Sequence, residues 1–360
     1  MTSNVSIRDR LLVALADPEA AGKSGISAAT LVAFQEPLAV FEWLGAGKGL
    51  VLVNRAALSD GELGACLDRV FAAHEKGRMF VVVAGGGAEV VEELRAAGAR
   101  ARNRDRLGLY HADEAGQIQR VAGRRLAELE KVSRALPECG SLSAEDIEAI
   151  SERGRRERLE AAEFLRRTLR RFPHTTVAIV AACFLLFAAT ASGDERARRL
   201  FDLLCNRPDG IQHGEYWRLL TYALLHDRSN LAHLFANMLS LYTLGAFLEP
   251  LLGRGRLGLL LAVTALAGGV ASALFTRALS VGASGVAWGL VGAAFGLLGS
   301  QQRLFPALLA RILRQRLVVI LVLNIALSFL PHVDRYCHFG GGLAGFLLAL
   351  SYGRTSSPRP

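Results

Sequence analysis

Two positions in this sequence are best suited to covalent chemistry. One is a serine between glycines, Gly282-Ala283-Ser284-Gly285; the other is His338, which heads a run spaced by Gly341 and Gly345. A serine hydroxyl becomes nucleophilic when a base takes its proton within hydrogen-bond reach. Gly282 and Gly285 permit unusual dihedrals and let other backbone approach. If Ser284 opens a helix, the unpaired N–H groups there could stabilise an oxyanion. His233 and Asn237 lie four apart, on one helix face, and both can donate hydrogen bonds. Nucleophile, base and oxyanion donors together describe acyl transfer. Each also has a plainer reading. Ser284 could cap a helix, His338 could be an interfacial histidine, and His233 with Asn237 could hold two helices together.

The elements that must position these residues are apolar. Six stretches, near 175–192, 231–252, 257–276, 284–300, 316–331 and 338–353, approach the roughly 20 residues that a membrane helix needs. Basic residues in short connections mark the cytoplasmic side. The segment before the first stretch is rich in arginine. Arg254 and Arg256, then Arg303, Arg311, Arg314 and Arg316, then Arg354 and Arg359, share its side if there are six spans. Both termini are then expected to be cytoplasmic. Arg196, Arg198 and Arg199 run against this in the expected outer stretch 193–230, where Asp194 and Glu195 accompany them. On this topology His233, Ser284 and His338 fall at the outer ends of the second, fourth and sixth spans. Polar side chains at membrane depth are costly, so three at one depth form a functional hypothesis. Gly341 and Gly345 share a face that can pack on the glycine face of span four, bringing His338 to Ser284.

The remainder of the chain obeys a different solvent. Hydrophobic residues make up 51% and charged residues 21%, but most charges precede Pro173, so the averages blend two environments. The net charge of +9 comes from arginines at the ends of apolar runs, with no basic stripe interleaved with aromatics, which argues against nucleic acid. The five cysteines form no CxxC and no metal-ligand spacing. Cys66 and Cys139 read as cytosolic free thiols, while Cys205 and Cys337 share the outer side, where a disulfide is conceivable. The first residues are too briefly apolar for a signal peptide, being broken by Asp17 and Pro18, so the first span is expected to direct insertion.

Residues 28–35, 49–54, 79–84 and 106–111 read as buried strands, and Asp60–Glu75, Ala88–Ala97 and Arg120–Leu136 as helices. This alternation predicts a small soluble α/β domain. Ser143 with Asp146 resembles a capping box that opens a long charged helix. Gly22-Lys23-Ser24 imitates a phosphate loop, but Asp17 stands where the pattern needs glycine. Leu44–Gly49 lacks the spacing as well. Gly85-Gly86-Gly87 is a strand-to-helix turn whose backbone could approach a phosphate, and a plain turn explains it equally well. The expected layout is a cytosolic α/β domain over 1–140, a charged helical connector over 141–173, a six-span domain over 174–353 and a cytosolic tail over 354–360.

Trp217-Arg218, Thr221, His226, His233-x-x-x-Asn237, Gly245 and Glu249, followed by Gly282-x-Ser284-Gly285 and His338-x-x-Gly341-x-x-x-Gly345, resemble the rhomboid family in order and over roughly 172–352. The resemblance implies a polytopic α-helical membrane protein with a six-helix bundle. It implies a Ser284–His338 dyad without a third acid, and an oxyanion hole of His233, Asn237 and the Ser284 amide. Trp288 falls where the family has a ring beneath the histidine, and Trp217, Arg218 and Glu249 take structural places. One departure is visible: seven positions separate His226 from His233, a looser spacing than the bacterial pattern. The implied activity is endoproteolysis of single-pass transmembrane proteins within the lipid bilayer, with no cofactor and no metal. A bacterial inner membrane is the expected location, with the active site opening outward. The resemblance says nothing about the soluble domain, for which a cytosolic partner is conceivable. One alternative is a rhomboid-like module that binds membrane segments without cutting. Another is a transporter, which the lack of an internal repeat disfavours.

Overall fold

The computed structural model describes residues 6–16, 30–43, 48–59, 61–73, 78–101, 105–127, 129, 142–276, 278–301, 304–331 and 333–352. The chain divides into two compact units, Met1–Leu159 and Glu160–Pro360.

The first unit is α/β. Helix α1 (Ile7–Ala16) precedes strands β1 (Thr30–Gln35), β2 (Leu38–Trp43) and β3 (Lys48–Asn54). Helix α2 (Glu62–Ala73), strand β4 (Arg78–Ala84), helix α3 (Ala88–Arg100), and strands β5 (Leu107–Ala112) and β6 (Ile118–Gly123) follow. The strands form one six-stranded sheet in sequence order, parallel across β3, β4 and β5 and antiparallel at both edges. The central strands are nearly continuous apolar runs because both sheet faces are covered. Their side chains alternate: Leu50, Leu52, Phe80, Val82 and Tyr110 join Leu11 and Leu15 of α1, whereas Val51, Val53, Val81 and Val83 join Leu67 of α2 and Leu94 of α3.

One sequence expectation is corrected here, and two elements are added to the layout. Helix α1 and strand β2 were not anticipated. Ile118–Gly123, placed partly in a helix over Arg120–Leu136, is strand β6, and residues 130–141 lie outside the described residues. The hairpin turn before β6 explains the change: Gly116 has φ +88, and Asp113 accepts from the Gln117 N–H at 2.8 Å. The turn folds the following residues back onto β5.

Helix α4 (Ala144–Leu169) begins at a reciprocal capping box. Ser143 N–H and Oγ–H both donate to Asp146 at 2.8 Å, and Asp146 N–H donates to Ser143 Oγ at 3.1 Å. These bonds hold the exposed Asp146 carboxyl below its ordinary range. The helix is more than a solvated connector: Ile147 enters the first unit's core, and Ala161 packs with Leu308 and Leu309 in the second.

The second unit is helical. Long helices α5 (His174–Ala191), α9 (Leu231–Leu252), α10 (Arg254–Phe275), α11 (Ser284–Ser300), α12 (Ala307–Leu327) and α13 (Arg335–Tyr352) are joined after α5 by the short helices α6 (Glu195–Leu204), α7 (Pro208–Gln212) and α8 (Arg218–Thr221). Among the described residues α5, α9 and α10 are long and apolar enough to cross a membrane, and α11 is a shorter apolar helix of 17 residues. Gly253, at φ +82, is the sole residue between α9 and α10, so Arg254 and Arg256 fall in the first turn of α10 rather than in a loop. Arg311, Arg314 and Arg316 likewise lie on α12, which starts nine residues before the expected span; Arg and Leu are strong helix formers and extend it. Arg303 and the tail arginines Arg354 and Arg359 lie outside the described residues.

The expected outer stretch is folded. Asp194 caps α6 by accepting from the Ala197 N–H at 2.8 Å, which holds its carboxyl below the ordinary range. Buried Arg218 donates to Glu215 at 2.5 Å, to the Cys205 carbonyl at 3.0 Å and to the Asp202 carbonyl; Trp217 Nε1–H donates to the Leu203 carbonyl at 3.1 Å. Asn206 pairs backbone to backbone with Ser280 and donates its side chain to the Gly269 carbonyl at 3.0 Å. The stretch is thereby tied to the segment leading into Ser284.

Candidate active site

Ser284 opens α11, two residues after a backbone conformation that only glycine adopts readily. Gly282 has φ +121, and its N–H donates to the Tyr222 carbonyl at 3.0 Å. His338 occupies the first turn of α13. The two helices meet through bare backbone. A Cβ at Gly341 or Gly345 would overlap the carbonyl group of Gly285 or Gly289, and one at Gly296 would lie 2.7 Å from the Phe346 carbonyl oxygen. That contact brings Ser284 Oγ to 2.8 Å from His338 Nε2. His338 is 9% exposed, and Trp288, one turn after Ser284, stacks on it at 5.6 Å with 21° between planes. Phe339 meets the Trp288 ring edge-on at 5.6 Å.

His233 and Asn237 come from the start of α9, where the Asn230 side chain accepts from the His233 N–H at 2.9 Å. Both converge on Gly282, two residues before Ser284. A Cβ at Gly282 would lie 2.8 Å from His233 Cε1 and 3.6 Å from Asn237 Nδ2. Asn237 Nδ2 is buried and has no hydrogen-bond partner. An unpaired buried donor costs about 1–3 kcal/mol, so it asks for an acceptor that arrives later. His226 packs on His233 at 5.6 Å between centroids, is fully buried, and leaves both ring nitrogens unpaired. Burial, followed by the neighbouring His233, pulls the His226 pKa down to about 4, so this ring is neutral at pH 7.

The supporting shell divides into anticipated and unanticipated parts. Glu249, 4% exposed, accepts from the Thr175 and Thr176 N–H groups at 2.9 Å and from Thr176 Oγ1 at 2.8 Å, closing the N-terminus of α5 onto α9. Two groups went unnoticed in the sequence. Ser328, at the C-terminal end of α12, lies 2.7 Å from His338 Nδ1. Asp334 precedes α13, where it accepts from the Cys337 N–H at 3.0 Å, from Ser272 Oγ at 2.5 Å and from Thr276 Oγ1 at 3.2 Å, tying the His338 helix to α10. An acid a few residues before a helical run is an N-cap signal that could have revealed Asp334; nothing marks Ser328.

Cys205 and Cys337 do not pair: both are free, with Cys337 Sγ 3.2 Å from Tyr222 Oη and Cys205 Sγ donating to the Asp202 carbonyl. Burial raises the Cys205 pKa. Cys139 lies outside the described residues, as do Gly22-Lys23-Ser24 and residues 44–47. At the Gly85–Gly87 turn the Gly87 N–H donates at 2.7 Å to Glu89, whose carboxylate occupies the position an anion would need. Among the described residues no group of three or more His, Cys, Asp or Glu is placed to hold a metal.

Residues 213–355 match the family description Rhomboid domain. The chain is 41% identical over 143 residues to RHOMBOID-like protein 1 of Arabidopsis thaliana, covering 39% of this chain and 36% of that protein. It is 34% identical over 144 residues to Rhomboid protease GluP of Bacillus subtilis (strain 168), covering 40% and 27%. It is also 32% identical over 131 residues to Inactive RHOMBOID-like protein 8 of Arabidopsis thaliana, covering 36% of each. The chain thus spans less than half the length of each of these relatives, and the first unit lies outside the matched family segment.

Proposed function

We propose, for a chain that residues 213–355 place in the rhomboid family, an intramembrane serine endopeptidase that cleaves transmembrane segments of single-pass proteins through an acyl-enzyme. The observation that carries this reading is the 2.8 Å approach of Ser284 Oγ to His338 Nε2 across a glycine-only helix contact. In the reaction His338 Nε2 takes the hydroxyl proton as Ser284 Oγ bonds to the scissile carbonyl carbon. The carbonyl oxygen becomes an oxyanion, held by the Ser284 N–H, by Asn237 Nδ2–H and by His233. The unpaired Asn237 Nδ2 supports this role. His338 then returns its proton to the leaving amine, and the C–N bond breaks. A water enters, gives a proton to His338 Nε2 as its oxygen bonds to the ester carbon, and His338 passes that proton to Ser284 Oγ as the C–O bond breaks and the acid leaves.

The six long helices α5 and α9–α13 are assigned as spans, with both termini cytoplasmic. His233, Ser284 and His338 lie at the starts of the second, fourth and sixth, on the outer side, where water is available. No cofactor enters the scheme. Cleavage of a transmembrane reporter by the reconstituted full chain tests the proposal. Wild type cuts, and Ser284→Ala and His338→Ala, inserted to the same level, do not. A wild type that binds the reporter without cutting it makes the protein a silent membrane-segment binder instead.

A further inference from the structure

We propose that Ser328 is a positioning residue that fixes the reactive tautomer of His338; the inference rests on the reading of Ser284 and His338 given above. Ser328 is 1% exposed. Its Oγ–H donates to the Asn324 carbonyl, one turn back along α12, at 2.9 Å, while the same Oγ lies 2.7 Å from His338 Nδ1. A hydroxyl carries one hydrogen. While that hydrogen is directed at Asn324, Ser328 Oγ presents only lone pairs to the ring, which favours the tautomer with the imidazole proton on Nδ1. The other nitrogen, Nε2, is then the bare acceptor, and it is the one 2.8 Å from Ser284 Oγ. In the opposite tautomer an Nε2–H would point at Ser284 and could not remove its proton, and Ser328 would have to give up its bond to the Asn324 carbonyl in order to donate to Nδ1.

Trp288 and Ser328 constrain the ring differently. The stacked indole fixes the plane of His338, and Ser328 fixes rotation within that plane and the proton's place. When Nε2 accepts the Ser284 proton the ring becomes cationic, and its Nδ1–H bond to Ser328 strengthens as a charge-assisted bond. A neutral hydroxyl does this without the desolvation cost of a buried carboxylate. The base on α13 is therefore oriented by α12, an element that supplies neither nucleophile nor oxyanion donor.

The test compares Ser328→Ala, Ser328→Cys and Ser328→Thr in the full-length reconstituted chain. The readouts are the rate of fluorophosphonate labelling of Ser284, kcat and KM on a transmembrane reporter, and thermal stability. Loss of one oriented hydrogen bond lowers the labelling rate and kcat about tenfold in Ala, with KM unchanged. Cys keeps the volume but is a weak acceptor, so it behaves like Ala; Thr keeps the hydroxyl and recovers activity to within about threefold of wild type. Wild-type labelling in Ala or Cys overturns the inference, as does a Thr variant as slow as Ala at equal stability. If Ala fails to insert, the Cys and Thr pair decides alone. An unlabelled wild type removes the dyad reading and this inference together. A labelled wild type indifferent to Ser328 removes only this one.

Discussion

Replacing Gly341 by alanine adds one methyl where the α11–α13 contact is backbone on backbone, beside the reacting residues. That methyl would lie 2.8 Å from the Gly285 carbonyl carbon and still nearer its oxygen. Carbon atoms in contact settle at about 3.5–4.0 Å, so the carbon alone forces the helices apart by roughly 1 Å. Gly285 and Gly341 lie within one turn of Ser284 and His338, so the separation appears almost undiminished at the reacting atoms. The 2.8 Å Oγ–Nε2 approach becomes about 3.8 Å, too long for a hydrogen bond. A misplacement of about 1 Å costs on the order of a hundredfold in rate. Overpacking also lowers stability by about 1–3 kcal/mol, so thermal denaturation must confirm a folded variant. Gly299 provides the control: it is on the same helix α11, and a Cβ there meets nothing within 4 Å. Reporter cleavage and fluorophosphonate labelling should fall about a hundredfold in Gly341→Ala and stay at wild-type level in Gly299→Ala. Wild-type activity in folded Gly341→Ala, or an equal loss in Gly299→Ala, refutes the reasoning.

Three further outcomes are expected. Asn237→Ala removes the buried, unpartnered Nδ2 that the proposed mechanism uses as an oxyanion donor, so kcat should drop about 10²-fold with KM and melting temperature little changed, as steady-state kinetics would show. Glu249→Ala strips three donors of their acceptor at the start of α5 and should cost about 2–3 kcal/mol in reversible denaturation, with Glu249→Gln intermediate. His226 is neutral when folded down to its pKa of about 4, whereas the unfolded ring protonates near its ordinary value of 6.5. The unfolded state therefore binds the proton first, and stability is lost as pH falls from 6.5 toward 4; His226→Phe should flatten that slope in melting curves.

How far the sequence could be read depended on whether a residue's partner was encoded nearby. Ser284 and His338 were legible because each opens a glycine-spaced apolar run, and small residues announce where helices touch. Strands β3, β4 and β5 were legible because burial on both faces makes them continuous apolar runs. β6 was not: it is an edge strand with Gln119 and Arg120 outward, and its pairing depends on the turn at Gly116. Ser328 and Asp334 are intelligible only in three dimensions. A serine ending an apolar helix looks like one satisfied by its own backbone, and Ser328 does bond Asn324; its second partner is on another helix. Residues 193–230 read as a long loop because the groups that fold them, Arg218 and Asn206, act on carbonyls that leave no sequence trace.

The central claim is that an alcohol on α11 is activated by an imidazole on α13. Peptide mass mapping of the full chain in liposomes after exposure to a fluorophosphonate tests it most directly. The account predicts a single adduct on Ser284, formed in wild type and absent from His338→Ala. An adduct on a different serine, or one on Ser284 that forms equally fast without His338, would contradict it.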